Sequence, residues 1–193
     1  DTTPRSSVAF DPGFRTFLTG YDGTENPVEY GGNDLYSDWS KLYTKQQSIR
    51  SRMVVGNRKT KALHKISNRM EWFIDAFHYD TANLILSRYE HVILPVMSSR
   101  QLHKLSLPKQ FLQYCRSLRS YTFRHRLYDL TYKYANRTVF VCSERGTTKT
   151  CGRCGYYGNN VGSSATFVCD ECGLECGRDR HAARNILIRA CCG

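Results

Sequence analysis

The chain has 193 residues, 40% of them hydrophobic, which is enough for one core plus a small metal-held module and excludes a disordered chain. Lys and Arg outnumber Asp and Glu by 28 to 17, a formal charge of +11 that points first to nucleic acid as partner. No charged-then-apolar leader opens the chain and no apolar run approaches the roughly 18 residues of a membrane span, so an intracellular, reducing setting is expected.

The first residue, Asp1, reads as the start of a piece of a longer protein. Residues 6–10 form an apolar strand running into Asp11-Pro12-Gly13, and 15–21 alternates as its hairpin partner. Asp22-Gly23 supplies a turn, and 27–30 a third, short strand. Helical spacing takes over from Asp34 to about Met53 and again from Lys59 to about Ser87. In the second helix Leu63, Ile66, Met70, Phe73, Ile74, Phe77, Thr81 and Leu84 fall on one stripe, as core packing requires. The continuous apolar run 91–96 reads as a buried parallel strand ending at Pro95.

A polar, basic connection over 101–109 leads to a helix expected over 111–135, with Phe111, Leu112, Cys115, Leu118, Phe123, Leu127, Leu130 and Tyr134 inward. Its Arg116, Arg119, Arg124, Arg126 and Lys133 make either a solvated face or a phosphate-tracking one. The last strand of the sheet spans 138–143, and Asp179 opens a final helix toward Arg189.

Between these two elements lie Cys151-x-x-Cys154 and, after a 14-residue insert, Cys169-x-x-Cys172. Two tight knuckles at this spacing converge on one tetrahedral zinc ion, and four thiolates leave no open position, which makes the ion structural. Two disulfides are the alternative, disfavoured in a reducing compartment. Cys115, Cys142, Cys191 and Cys192 stay outside the ligand set, Cys142 as a small core residue, and Cys176 is the competitor for a ligand position.

The order of elements is that of an α/β, RNase H-like mixed sheet with flanking helices, in which the fourth strand lies beside the first and the fifth outside it. Ligands bind where such an order reverses, at the carboxyl ends of strands. Asp11 and Glu144 stand at strand ends and Asp179 at a helix start, so carboxylates 133 and 35 residues apart in sequence meet. Clustered acids suit Mg²⁺, and two such ions about 3.5–4 Å apart hydrolyse phosphodiesters.

Phe10-Asp11-Pro12-Gly13, the run from Ser143-Glu144 through Cys154-Gly, Cys169-Asp-Glu-Cys172-Gly and Arg178-Asp179-Arg-His-Ala-Ala-Arg-Asn-Ile186 resemble the nuclease half of TnpB and its eukaryotic and viral relatives, the Fanzors. The resemblance implies a RuvC-like domain over 1–146 and 177–193, a zinc ribbon inserted over 147–176, a guide RNA and target DNA as partners, and Mg²⁺-dependent DNA cutting at Asp11, Glu144 and Asp179. On and beside the ribbon, Lys149, Arg153, Tyr156, Tyr157 and Arg180 are the expected nucleic-acid contacts, balanced for the loop residues against packing and solubility. Localisation follows the host, nuclear in a eukaryote and cytoplasmic in a bacterium or archaeon.

One departure matters. Most TnpB proteins carry the second acid after the fourth strand in Glu-Asp-Leu, where this chain reads Ile93-Leu94-Pro95-Val96-Met97. The Fanzor-like branch is more similar, because it relies on a rearranged glutamate ahead of the first knuckle, matching Glu144. Glu90, the rival, precedes its strand and would sit at the wrong end of the sheet. His181 stands where the family has an amide, as a surface residue or a partner that orients the site. Two other readings stay open: a non-cutting nucleic-acid-binding remnant, motivated by the missing acid, and a guide-independent nuclease of the RNase H or resolvase type.

Overall fold

Alternation along the first strand assigns the two faces of the sheet. In the computed structural model, residues 5–52, 61–96, 107–158 and 164–192 are described; the helix ends expected near Met53 and Lys59, Met97, and 101–106 of the basic connection lie outside them. Strand β1 (Arg5–Pro12) turns Val8 and Phe10 to one face and Ala9 to the other. It pairs antiparallel with β2 (Leu18–Tyr21), which pairs antiparallel with β3 (Val28–Tyr30). On its other side β1 runs parallel to β4 (Tyr89–Pro95), and β4 parallel to β5 (Thr138–Cys142). The resulting order, β3-β2-β1-β4-β5, is the RNase H-like one expected from the sequence. Gly20 lies opposite Phe10, where a Cβ would come within 2.5 Å of the phenyl ring, so glycine lets that ring lie across β2.

The face carrying Val8 and Phe10 buries the main core under α1 (Asn33–Ser51), α2 (Lys61–Arg88), α3 (Lys109–Ser117) and α4 (Ser120–Leu130). Trp39, Ile74, Ile85, Leu86, Tyr114, Phe123 and Leu127 fill it. The α2 stripe holds for Leu63, Ile66, Ile74 and Thr81, but Leu84 is exposed. Toward its C-terminal end the helix buries His78, Ala82, Ile85 and Leu86, so the inward face drifts away from Leu84.

The single helix expected over 111–135 is two. Arg119 takes a left-handed φ of 43° between α3 and α4, and a single 3₁₀ turn, Thr131–Lys133, replaces the end, with Tyr134 extended beyond it. A charged cluster makes this break. Asp75 on α2 is bonded by Arg119 and, at 2.6 Å, by Arg126. Fully buried His78 contacts the Leu118 carbonyl at 2.9 Å through Nε2 and Arg126 at 3.1 Å through Nδ1. Breaking the helix at Arg119 brings the Leu118 carbonyl and both guanidiniums onto α2. These arginines are therefore neither a solvated face nor free phosphate contacts.

The opposite face of the sheet, carrying Ala9 and Ile93, is covered by α5 (Arg178–Cys192) through Ile186. Between β5 and α5 the chain builds a small module on the two-stranded sheet β6 (Thr166–Val168) and β7 (Glu175–Gly177). No helix among the described residues is long and apolar enough to cross a membrane.

Candidate carboxylate site and cysteine cluster

Period-two alternation puts Asp11 on the face of Ala9, toward α5. On α5, Asp179, Ala182, Ala183 and Ile186 follow the i, i+3, i+4, i+7 pattern of one helical face. The latter three are fully buried, and Ile186 packs on Ala9 and Ile93. The two alanines let the helix lie close to the sheet, two turns from Ile186 to Asp179. This stripe carries Asp179 to the end of β1 where Asp11 stands.

Glu144 arrives from the other direction. The register pairs Ala9 with Ile93 and Pro95 with Cys142, so Asp11, Pro95 and Cys142 are level at the carboxyl edge of the parallel strands. Cys142 packs in the α5-side cluster, and Glu144 follows two residues later, half-buried. Two strand spacings, about 10 Å, separate β5 from β1, and the extra step of Glu144 past the edge gives its side chain a path back. Where β4 ends, Pro95 and Val96 offer no acid, and Glu90 sits near the opposite end of that strand.

The electrostatics tie the three acids together. Asp11 is pushed up to about 7 by burial first, then by the charge of Asp179 and then by that of Glu144, with Arg178 working the other way. Burial also raises Glu144. A half-buried carboxyl facing two others is a set of donors suited to a divalent cation. The three are more widely spaced than the cysteines described next, the one group among the described residues whose ligand atoms all lie within 4.8 Å. Arg178, not anticipated from the sequence, bonds Asp179 at 3.2 Å. Its signal was the Arg-Asp pair at the helix start.

The four sulfurs of Cys151, Cys154, Cys169 and Cys172 lie within 4.8 Å of one another, with Cys151–Cys172 and Cys154–Cys169 each at 3.7 Å. A tetrahedron with metal–sulfur bonds of 2.3 Å has edges of about 3.8 Å, whereas a disulfide needs about 2.05 Å. All nine cysteines are free. The backbone N–H groups of Arg153 and Cys172 point at Cys151 and Cys169 sulfurs at 3.4 and 3.5 Å. Burial opposes ionisation of Cys151, but hydrogen bonds from Cys154 and Arg153 overcome it, and the thiol falls to about 7. Cys176 is outside the group; it packs beside Phe167 under the cluster.

Other expected contacts divide. Lys149, Arg153, Tyr156 and Tyr157 are exposed together on the loop of the first knuckle, where Thr150 bridges Tyr157. Arg180 instead donates to the Thr24 carbonyl at 2.9 Å and lies over the Tyr21 ring at 5.2 Å, bracing the start of α5 against the β2–β3 hairpin. His181 is buried, not a surface residue. It stacks on Phe167 at 3.9 Å and accepts the Gly152 N–H at 3.0 Å. Burial and the Arg184 charge lower it to about 4, so it is a neutral acceptor that bolts the module to α5.

A family profile described as "Cas12f1-like, TNB domain" matches residues 121–186. "TnpB-like protein L79" of Acanthamoeba polyphaga mimivirus is 26% identical over 198 residues, covering 95% of this chain and 37% of the relative. "Putative transposase R186" of the same virus is 32% identical, covering 92% and 38%. "Putative transposase A625R" of Paramecium bursaria Chlorella virus 1 is 28% identical, covering 97% and 44%. The chain thus spans about two fifths of the length of these curated relatives.

Among solved structures, the chain is similar in fold to one in a Cas12f1–sgRNA–target DNA complex, with a TM-score of 0.67 and 17% identity over 95% of this chain and 50% of that one. It is also similar to the mini-RNA-guided endonuclease CRISPR-Cas_phi3, with a TM-score of 0.55 and 10% identity over 95% and 44%. Along nearly its whole length the chain is thus similar in sequence to TnpB-like proteins and transposases, and in fold to the Cas12f1 chain.

Proposed function

We propose that the chain is the nuclease portion of an RNA-guided DNA endonuclease, with Asp11, Glu144 and Asp179 as the catalytic carboxylates. The observation that carries this reading is Asp11, held up to about 7 by burial and by Asp179 and Glu144. A purely structural site would keep such acids apart or pair each of them with a base, whereas the base here, Arg178, bonds Asp179. These residues would hold two Mg²⁺ ions, which when bound supply water activation and stabilisation of the leaving oxygen. Ligands on opposite sides of an ion pair need not lie within one ion's reach of each other, so the three acids together would suit two ions rather than one.

The protein's own contribution is positional. The buried Ala182-Ala183-Ile186 face fixes Asp179 against β1, and Arg178 holds one Asp179 oxygen. Glu144 takes the place of the missing acid at Pro95, as in the Fanzor-like branch. Zinc on the four cysteines is structural, and Lys149, Arg153, Tyr156 and Tyr157 contact target DNA. A guide RNA would be held chiefly by the part of the relatives' length that this chain does not span.

The test is cutting of labelled single-stranded DNA with Mg²⁺, by this chain and by a version extended to the relatives' length, with and without copurifying RNA. Loss on Asp11→Ala, Glu144→Ala and Asp179→Ala supports the reading. The absence of an acid at Pro95 favours a second one, a binding remnant, which predicts retained DNA binding and no cutting in every version.

A further inference from the structure

The side-chain amide of Asn185 is buried on α5 and makes two short bonds to the loop that follows Glu144. Its Nδ2 donates to the Thr147 carbonyl at 2.7 Å and to the Thr150 carbonyl at 2.8 Å. Thr147, itself buried, turns back on Glu144: its N–H donates to the Glu144 carbonyl at 3.2 Å and its hydroxyl to the same oxygen at 2.9 Å. Thr150 is followed directly by the zinc-ligand candidate Cys151. One amide thus grips both the turn that presents Glu144 and the root of the first knuckle. The grip is tight, since a Cβ on Gly152 would lie 2.6 Å from the Asn185 Oδ1.

We propose that Asn185 is a positioning residue for Glu144, acting through Thr147, and that the cysteine module is by the same bonds a buttress of the carboxylate site. The inference rests on the reading of Glu144 as a cation ligand. Glu144 needs such support because it lies beyond the end of β5, where no ladder hydrogen bonds fix its backbone. Asp11 is held within a strand and Asp179 within a helix; Glu144 is the acid whose placement depends on a loop. The amide on α5 ties that loop to the helix that carries Asp179, so the two acids move as one body.

The experiment measures Mn²⁺ affinity of the zinc-loaded 193-residue chain by electron paramagnetic resonance, for wild type, Asn185→Ala, Glu144→Ala and the double variant. Thr147→Val serves as the milder variant that keeps the buried shape and removes the hydroxyl; zinc content and thermal unfolding control for the fold. The expected result is a roughly tenfold loss of affinity on Asn185→Ala, the size typical for residues that orient a metal ligand, and a smaller loss on Thr147→Val. On the Glu144→Ala background Asn185→Ala adds nothing further. A loss that persists undiminished on that background, or no loss in either positioning variant, overturns the role of Asn185 alone. An unchanged affinity in Glu144→Ala overturns the reading of the site and the positioning role with it.

Discussion

Asp11 on β1 and Asp179 on α5 face each other across the seam between sheet and helix, and after burial itself the charge of Asp179 is the largest cause of the high Asp11 pKa, about 7. A raised carboxyl pKa has a definite sign. Its contribution to metal-free stability is fully present below the unfolded value of 3.8 and is lost as pH rises through about 7. Asp11→Asn is therefore expected to raise the melting temperature of metal-free protein at pH 8 by roughly 5 °C and to leave it unchanged near pH 3. Adding Mg²⁺ should stabilise the wild type and not the variant. Calorimetry with and without chelator checks both.

His78 has the opposite sign. Burial lowers it to about 4, aided by the charges of Arg126 and Arg119 and opposed by its hydrogen bond to Leu118 and by Asp75. An unfolded chain takes up this proton near 6.5, so stability is complete above 6.5 and falls as pH drops toward 4, by about 3 kcal/mol for a shift of this size. Across pH 4–7 Asp11 works in the opposite direction, so denaturant unfolding is compared between variants: His78→Gln should lose less stability toward pH 4 than the wild type, the difference belonging to His78.

Gly152 packs against α5 so closely that Gly152→Ala forces Asn185 or the knuckle to move. The expected cost is about 1–3 kcal/mol, as for overpacking elsewhere. Thermal unfolding checks it, and a change within 0.3 kcal/mol would show that the contact relaxes freely.

Cys151→Ser should lose one bound zinc and lower the melting temperature by roughly 5–10 °C, because a three-cysteine cluster no longer holds the ion and the module that braces α5 loosens. Metal analysis and calorimetry on the same sample test this. Cys176→Ser, outside the cluster, should retain the zinc.

The sheet was legible because apolar alternation in β1 and β2 and the continuous run in β4 each carry one strand's burial on their own. The cysteine cluster was legible because ligand spacing is local. The split of α3 from α4 was not: helical periodicity continues through Leu118 and Arg119 without Gly or Pro, and the break is made by Asp75 and His78, whose bonds to Arg119 and Leu118 span 44 and 40 residues. The bolt formed by His181 and Asn185 was equally hidden, since a polar residue on a helix reads as solvated until the module folded over it is seen. The bracing role of Arg180 was hidden for a related reason, its partners Thr24 and Tyr21 lying over 150 residues away in sequence.

The central claim is that Asp11, Glu144 and Asp179 jointly hold a pair of divalent cations. Anomalous scattering from crystals soaked in Mn²⁺ tests it most directly. The account predicts two peaks about 3.5–4 Å apart, both bonded to Asp11, one also to Glu144 and the other to Asp179. Peaks that leave Glu144 without a metal, or no peak at the end of β1, would contradict it.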